Sequence, residues 1–304
     1  MATLQARSAH RRSQSLEATQ ARTAWWLVLP SLIVVVLVAG YPLVRTIALS
    51  FTDASFFNPG VENGVGFANY TRLFSDQIWW RSVQNTVVFT FFSVAIEFVL
   101  GLFVAMVINS NFKGRGLVRT AMLVPWAIPT VISAQMWKWM FNDVIGVIND
   151  LFIRAHIISH SIGWLANPST TMPSIIAVDI WKTTPFVALL LLAGLQTIPA
   201  DIYEAARVDG ASAFTQFWRL TLPLLRPAIL VTLVFRTLDA LRVFDVIYVM
   251  TGTTQNTASM AVYDRQQLID FGGLGFGSAA SVIIFLIIAV FTVGYVTSLR
   301  VRFD

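Results

Sequence analysis

Long apolar segments alternate with shorter polar segments along this chain of 304 residues. Each apolar segment holds 20 to 27 residues and few charges. About 20 apolar residues of α-helix are enough to cross a hydrocarbon core of about 30 Å. The pattern therefore predicts an all-α polytopic membrane protein with six transmembrane helices. Their predicted bounds are Trp25–Val44, Val83–Ile108, Leu117–Phe141, Pro173–Leu195, Leu224–Met250 and Ser278–Leu299.

The composition supports a membrane protein. Hydrophobic residues make up 56% of the chain and charged residues only 12%, whereas soluble domains carry about 25% charged residues. The chain has no cysteine, which excludes a disulfide framework, a thiol nucleophile and thiolate metal ligands. The net charge of +5 comes mainly from arginines in short polar segments, so we expect no nucleic-acid binding.

The distribution of arginine and lysine predicts the orientation in the membrane. Four arginines lie in the loops on one side, against twelve arginines and lysines in residues 1–24, 109–119, 196–227 and 300–304. The positive-inside rule therefore places both termini in the cytoplasm. Residues 1–24 contain no apolar run and are expected to form a disordered cytoplasmic tail. The first apolar segment is longer than a usual signal-peptide core and lacks a small-residue cleavage site, which favours a retained span.

Ionisable residues interrupt the apolar segments, and each costs at least a few kcal/mol in hydrocarbon. They are therefore expected to face other helices or a wet cavity. In the fifth segment their signs alternate at every third position from Arg236 to Asp245, so they can form a salt-bridge ladder or line a path. Asp179 and Lys182 have the same spacing and can pair. The full set is Glu97, Lys138, Asp179, Lys182, Arg236, Asp239, Arg242 and Asp245.

Three prolines, Pro125, Pro129 and Pro185, interrupt the helical pattern inside predicted spans. Proline removes a backbone donor, and such kinks persist where neighbouring helices or a cavity satisfy the freed carbonyls. Together with the buried charges, these kinks favour a transport path over a purely structural bundle.

No catalytic signature accompanies these features. The one Lys-Ser/Thr pair, Lys182-Thr183, lacks the preceding glycines of a phosphate-binding loop. His156 and His160 are four residues apart, but no His-Glu-x-x-His pattern surrounds them, so no metal site is expected. The chain is therefore predicted not to be an enzyme, and any ATP must be bound by another polypeptide.

A polar stretch, Glu204–Pro223, separates the fourth and fifth predicted spans. Apolar residues at positions i, i+3 and i+4 from Ile202 predict a short helix, which ends where Gly210 can adopt a positive φ. Ser212 is a natural N-cap for a second short helix, and Pro223 is expected to end it. Two short helices at a sharp angle would form a compact cytoplasmic knob, suited to a groove on a partner.

The sequence of the knob resembles the coupling loop of bacterial ATP-binding-cassette (ABC) importer permeases. In that pattern, Glu-Ala-Ala is followed after three residues by Gly, and after nine more by an aliphatic residue, one spacer and Leu-Pro. Leu220 stands where isoleucine is commonest. The resemblance implies a coupling loop at about 196–223. Its implied contacts with an ATPase subunit are Glu204, Ala205, Ala206, Asp209, Gly210, Phe214, Leu222 and Pro223.

The resemblance covers roughly residues 25–304, which are expected to form one ABC-importer transmembrane domain. It is to carbohydrate-uptake permeases similar to the maltose type. In one departure, Thr253-Thr254-Gln255 stands where that family often has Gly-Gly-Pro. The further motifs that carry the resemblance are Arg119–Trp126, Trp181–Phe186, Phe244–Tyr248 and Thr251-Gly252.

The resemblance also implies a substrate site near mid-membrane, on the third, fourth and fifth spans. Asp179 and Trp126 suit a polyol, through hydrogen bonds to hydroxyls and through ring stacking. In similar systems only one of the two permease subunits makes such contacts. The implied positions are Trp126, Thr130, Asp179, Lys182, Thr183, Phe186, Arg236, Asp239, Ala240 and Val243.

The implied protein is an inner-membrane permease subunit of an importer for a sugar or glycoside. The resemblance does not indicate whether that sugar is neutral or anionic. Its implied partners are a second homologous permease, two ATPase subunits that bind ATP and Mg²⁺, and an external solute-binding protein. Closure of the ATPase dimer would move the knob and drive alternating access. The alternatives are an ion-coupled secondary transporter, whose internal repeats we do not find, and an intramembrane enzyme, whose catalytic residues we do not find.

Overall fold

The computed structural model describes residues 20–298, and these residues are helical apart from their connecting loops. The β pairing among them is an isolated bridge between Thr52 and Gly64. The predicted all-α fold is confirmed. Numbered in chain order, the helices are α1 Gln20–Leu49, α2 Ala68–Ser75, α3 Gln77–Asn109, α4 Arg115–Ala127, α5 Thr130–Met140, α6 Val147–Arg154, α7 Pro168–Gln196, α8 Ala200–Val208, α9 Ala213–Gln216, α10 Leu222–Leu224, α11 Arg226–Leu241, α12 Asp245–Thr251, α13 Met260–Arg265 and α14 Leu274–Ser298.

Within the described residues, four helices are long and apolar enough to cross a membrane: α1, α3, α7 and α14. Helices α4 and α5 form a fifth such segment if their bent pair counts as one span. The predicted fifth span is divided into α11 and α12, with a break at residues 242–244. This division is compatible with a further crossing, and the count of six spans stays a prediction.

The ends of the chain differ in part from the expected bounds. The predicted tail lies mostly outside the described residues, but α1 already begins at Gln20, five residues before the apolar segment. The end of the predicted sixth span, Leu299, also lies outside them. None of the side chains in the most apolar part of α1 is buried within the chain, so this helix presents its apolar surface to its surroundings.

The polar segments between the predicted spans are not entirely loops, because they contain helices α2, α6 and α13. The loop after α1 is ordered by Asp53, which accepts hydrogen bonds from the side chain and backbone of Asn63. These bonds hold the pKa of Asp53 below its usual value. The adjacent residues Trp79 and Trp80 have different environments, because Trp80 is half exposed while Trp79 is buried against Tyr263.

The predicted kink in the third span lies at Pro129. Helix α4 ends at Ala127, Ile128 is extended, and α5 begins at Thr130 after a bend of 90°. Proline cannot donate a backbone hydrogen bond and disfavours helical geometry in the residue before it, which explains the extended Ile128. Pro125 and Pro185 lie inside α4 and α7, which run through them without a break.

Close packing between α3 and α7 forms the centre of the fold. A Cβ atom added to Gly101 of α3 would come within 2.6 Å of Val187 Cγ1. Further along α7, a Cβ on Gly194 would come within 2.3 Å of Ala228 Cβ in α11. Small residues allow helix backbones to approach closely in membranes. Helices α3, α7 and α11 are therefore held at distances that let their polar side chains meet.

We expect Gly101→Leu to destabilise the protein, because the new side chain has no space between α3 and α7. The free energy of unfolding should fall by about 1–3 kcal/mol, as in other overpacked cores. Thermal denaturation of the detergent-purified protein measures the change. Gly294→Leu is the matched control, since this α14 glycine has no heavy atom near its Cβ position. Equal effects of the two changes would contradict the packing argument.

The orientation of the chain can be tested by cysteine labelling, because the native sequence has no cysteine. Asn58→Cys, in the loop after α1, should react from outside with a membrane-impermeant thiol reagent. Asp201→Cys, in α8, should react only after the membrane is permeabilised. Both native side chains are exposed in the structure, so access is decided by the membrane. The reverse labelling pattern would overturn the predicted orientation.

Candidate functional site

A cavity of about 460 Å³ lies where the α4–α5 break faces α7 and the end of α11. Its wall also includes the turn from α11 into α12. The volume is in the range of about 300–1,000 Å³ that is usual for small-molecule sites. The interrupted helices expose polar backbone here, and irregular backbone is tolerated at membrane depth where it lines such a cavity.

The cavity brings together nine of the ten positions predicted for a substrate path. The tenth, Phe186, is not in the wall but stacks in parallel on Trp126, with ring centroids 5.8 Å apart. It therefore supports the indole ring, which is about half exposed. The nine lining positions are Trp126, Thr130, Asp179, Lys182, Thr183, Arg236, Asp239, Ala240 and Val243.

Arg236 of α11 connects three carboxylates. Its Nε and Nη2 donate to the two carboxylate oxygens of Glu97 in α3, with Nη2 and Oε1 2.9 Å apart. Nη2 also donates to Asp179 Oδ2 in α7, and Nη1 donates to Asp239 Oδ2 at 2.9 Å. Ser93 Oγ is within hydrogen-bond distance of both Glu97, at 2.9 Å, and Asp179, at 2.5 Å. One guanidinium group thus ties α3, α7 and α11 together.

Burial differs sharply within this network. The side chains of Glu97 and Arg236 are 0% and 2% exposed, whereas that of Asp239 is 67% exposed. Removing charges from water costs several kcal/mol for each ion, and this cost is recovered only when the partners are well placed. The Glu97–Arg236 pair is therefore the fixed part of the network. Asp179 and Asp239 extend it to the cavity surface.

Lys182 does not pair directly with Asp179, contrary to the pairing expected from their spacing. Its Nζ instead donates to the carbonyl oxygens of Ile128 at 2.7 Å and Trp126 at 3.4 Å. These carbonyls lie at the end of α4, where the last backbone carbonyls have no donor within the helix. A cation at a helix C-terminus is also favoured by the helix dipole. Lys182 therefore stabilises the break that shapes the cavity.

The predicted salt-bridge ladder in the fifth span forms only in its first step. Arg236 pairs with Asp239, but α11 ends at Leu241, so the helical spacing does not continue. Arg242 and Asp245 lie beyond that end, are exposed and line the cavity. Neither takes part in an ion pair within the described residues. The charges at this end of the segment face the cavity and not one another.

Two carboxylate oxygens remain available in the cavity wall. Within the described part of the chain, Oδ1 of Asp179 and Oδ1 of Asp239 accept no hydrogen bond, since their partners use Oδ2. An ionised carboxylate only accepts hydrogen bonds. The exposed face of Trp126 lies in the same wall. This combination can hold a ring with several hydroxyl groups.

Sequence reasoning gave Glu97 no site role, although this buried carboxylate lies at the centre of the network. Two signals in the sequence could have identified it. Glu97 is a lone charge in a long apolar segment, and Ser93 precedes it by four residues, on the same helix face. Arg242 and Asp245, for which path lining was one of the two predicted alternatives, do line the cavity, whereas Phe244 and Val246 line it without having been predicted to do so. Their signal was hidden, because the apolar pattern predicts an unbroken helix there.

The knob has the predicted local geometry. Helix α8 ends at Val208, Gly210 has a φ of +77°, and the Ser212 side chain caps α9. The predicted end at Pro223 is wrong. The chain stays helical through a π-helical segment, Phe217–Thr221, into α10, where proline occupies a first-turn position that needs no donor.

The predicted coupling residues fall into two groups. Those before Leu222 lie on or near the exposed part of the knob, where the Phe214 side chain is 74% exposed. Leu222 packs against the core between α3 and α7. Tyr203 Oη and Thr221 Oγ1 are 3.0 Å apart, which braces α8 against the following segment. The knob therefore has a direct packing route to the two central helices.

Residues 20–298 contain no group of three or more His, Cys, Asp or Glu side chains close enough together to hold a metal ion. The cavity chemistry is therefore described by its carboxylates, cations, hydroxyl groups and aromatic rings.

A family model described as "Binding-protein-dependent transport system inner membrane component" matches residues 97–302. The chain is 41% identical to the trehalose/maltose transport system permease protein MalF of Thermococcus litoralis, over 96% of this chain and 98% of that protein. It is 39% identical to the trehalose transport system permease protein SugA of Mycobacterium tuberculosis, over 88% and 86%. It is 38% identical to the sulfoquinovosyl glycerol transport system permease protein SmoG of Agrobacterium fabrum, over 91% and 90%.

The fold is similar to that of a chain in the crystal structure of a bacterial ABC transporter involved in the import of the acidic polysaccharide alginate. The TM-score is 0.81 and the identity 25%, over 95% of this chain and 98% of that chain. The similarity extends over nearly the whole of both chains, so it includes the helices that form the cavity and the knob.

We expect Lys182→Met to destabilise the α4–α5 break, because it leaves the half-buried Ile128 carbonyl without its donor. The free energy of unfolding should fall by about 1–3 kcal/mol. Lys138→Met is the matched control, since Lys138 donates to the Val249 carbonyl at 3.0 Å from an exposed position where water can replace it. Thermal denaturation of both variants is the measurement. A larger loss for Lys138→Met would show that the break does not depend on Lys182.

Proposed function

The chain belongs to the family of binding-protein-dependent transport system inner membrane components, and on that premise we propose that it carries a sugar or glycoside of about disaccharide size. It is a multi-pass permease subunit of an ABC importer and not an enzyme. The proposal rests on one observation above all: nine predicted path positions meet in one cavity. That cavity offers free carboxylate oxygens and an exposed indole face, which suit hydroxyl groups and a sugar ring.

The similar permeases support a saccharide as the cargo, because their names assign trehalose, maltose and sulfoquinovosyl glycerol to them. By the same analogy, this chain would assemble with a second, homologous permease, two ATPase subunits and an extracytoplasmic solute-binding protein. ATP and Mg²⁺ would be bound by the ATPase subunits. Both termini and the knob would lie in the cytoplasm, as the charge distribution predicts.

The proposed mechanism is alternating access. Closure of the ATPase subunits would move the knob, and its packing through Leu222 would pass the motion to α3 and α7. The cavity would then open to one side of the membrane at a time. The bend at Pro129 allows α4 and α5 to face different parts of the cavity.

The direct test is uptake by proteoliposomes that contain the full transporter and its solute-binding protein. We expect ATP-dependent accumulation of radiolabelled trehalose or maltose. Vesicles without the ATPase subunits should accumulate neither sugar. Uptake that needs an ion gradient and no ATPase would favour a secondary transporter and contradict the proposal.

We expect Asp179→Asn to weaken transport while the complex still assembles. The change keeps the shape of the side chain but removes a charged acceptor, which should cost about 1.5–3 kcal/mol for a lost charged hydrogen bond. Asp150→Asn, an exposed change in α6, is the control. Uptake is measured against sugar concentration, together with recovery of the complex. Normal uptake at every concentration would exclude a role for Asp179 in the path.

We expect Gly210→Asp to abolish transport while the protein still inserts into the membrane. Gly210 has a positive φ and open space around its Cβ position, so the change acts through backbone strain and charge within the knob. Gly114→Asp is the matched control, because Gly114 has a φ of +89° and equally open space in another loop. Uptake that is normal for Gly210→Asp, or lost equally in both variants, would contradict a specific coupling role.

A further inference from the structure

We propose that the cavity selects uncharged glycosides and that Glu97 determines this selectivity by neutralising Arg236. The inference rests on the proposed function and names the charge class of its substrate. Permeases similar to this chain are named for neutral sugars such as trehalose and for sulfoquinovosyl glycerol, which carries a sulfonate, and a transporter of similar fold imports an acidic polysaccharide. The fold therefore leaves the charge of the cargo open, and the side chains around the cavity must decide it.

The guanidinium group of Arg236 has little capacity left for an anionic ligand. Arginine has five N–H groups, and recognition of a carboxylate or phosphate usually needs two parallel ones. Four are used here by Glu97, Asp179 and Asp239. The remaining N–H is on Nη1. A bidentate contact with a substrate anion would require one of the three carboxylates to move away.

Lys182 is similarly occupied. Its ammonium group donates to the carbonyls of Ile128 and Trp126 at the end of α4. Moving it towards a substrate anion would remove the donor from the helix break. Within the described wall, this leaves Arg242 as a cation without an ion-pair partner. Arg242 is exposed, and the exposed carboxylate of Asp245 lines the same cavity three residues away.

The balance of charges also opposes an anion. Arg236, Lys182 and Arg242 are matched in the wall by three carboxylates, Asp179, Asp239 and Asp245. Glu97 lies behind the wall and adds a fourth carboxylate, so the cavity and its support carry one excess negative charge. Buried and partly buried charges are screened less than charges on an open surface. An anionic sugar would meet a repulsive field, whereas hydroxyl groups can donate to the free oxygens of Asp179 and Asp239.

Glu97 is a positioning residue, because it is 0% exposed and does not reach the cavity. It accepts two hydrogen bonds from Arg236 without being part of the cavity wall, so the cation faces Glu97 as well as Asp179. In Glu97→Gln the amide oxygen can still accept one of these two hydrogen bonds, but the NH₂ group cannot accept the other. One N–H group of Arg236 would therefore be released, and the excess negative charge would disappear. The cavity should then accept an anion.

The test compares trehalose with trehalose 6-phosphate, which share the same two rings and differ in charge. Equilibrium dialysis with the purified permease and ATPase complex, without the solute-binding protein, measures the preference of the cavity itself. We expect the wild-type complex to bind trehalose at least tenfold more tightly, a difference of about 1.4 kcal/mol. Glu97→Gln should reduce this ratio at least tenfold, whereas Glu97→Asp, which keeps the charge, should largely preserve it.

Two further variants separate charge from folding. Asp239→Asn removes one negative charge at an exposed position and weakens the hydrogen bond to Arg236 Nη1, so it should reduce the ratio even if Glu97→Gln does not assemble. The double change Glu97→Gln with Arg236→Gln restores the wild-type excess of one negative charge. It should therefore lose the gain in phosphate binding. Wild-type-like ratios in assembled Glu97→Gln or in Asp239→Asn would overturn the inference.

The outcomes for the wild-type complex distinguish this inference from the proposed function. Equal binding of trehalose and trehalose 6-phosphate, with uptake of both, would overturn the charge selectivity and leave a sugar importer. Failure to bind or take up either trehalose or maltose would contradict the proposed function, and the selectivity inference with it.

Discussion

The pairing of Arg236 inside the membrane-spanning part of the chain determines how the central helices can be arranged. A guanidinium group that is only 2% exposed needs acceptors in fixed positions, because removing it from water is costly. Those acceptors come from α3 and α7 as well as from its own helix. The close contacts at Gly101 and Gly194 bring the three helices near enough for these bonds to form. The packing of small residues and the ionic network therefore require each other.

The cavity exists because two helical segments are interrupted. Pro129 ends α4 and starts α5 at a bend of 90°, and the chain between α11 and α12 breaks at residues 242–244. Each interruption frees backbone groups that hydrocarbon could not satisfy. At the α4–α5 break, Lys182 of α7 donates to a freed carbonyl. The break between α11 and α12 faces the cavity. The same chemistry that makes a membrane helix costly to break thus places polar groups around a space suited to a hydroxylated ligand.

The sequence predicted the elements whose signals are local. Apolar length predicted the long helices, and Gly210 and Ser212 predicted the turn of the knob, because a positive φ and an N-cap depend on neighbouring residues alone. Family motifs predicted most of the cavity wall. The partners of the buried charges could not be read in the same way. Lys182 was expected to pair with Asp179 because spacing along one helix is visible in a sequence, whereas the carbonyls of another helix are not.

Helix α1 has a consequence for the way the protein is made. It emerges from the ribosome before the rest of the bundle, and no side chain in its most apolar part is buried by later segments of the chain. The insertion of this apolar part therefore does not depend on packing against the rest of the chain and can precede helix association. The core of α3, α7 and α11 can then assemble afterwards without involving it. The first helix behaves as an anchor that is laid down early and whose apolar surface is left for lipid or another polypeptide to cover.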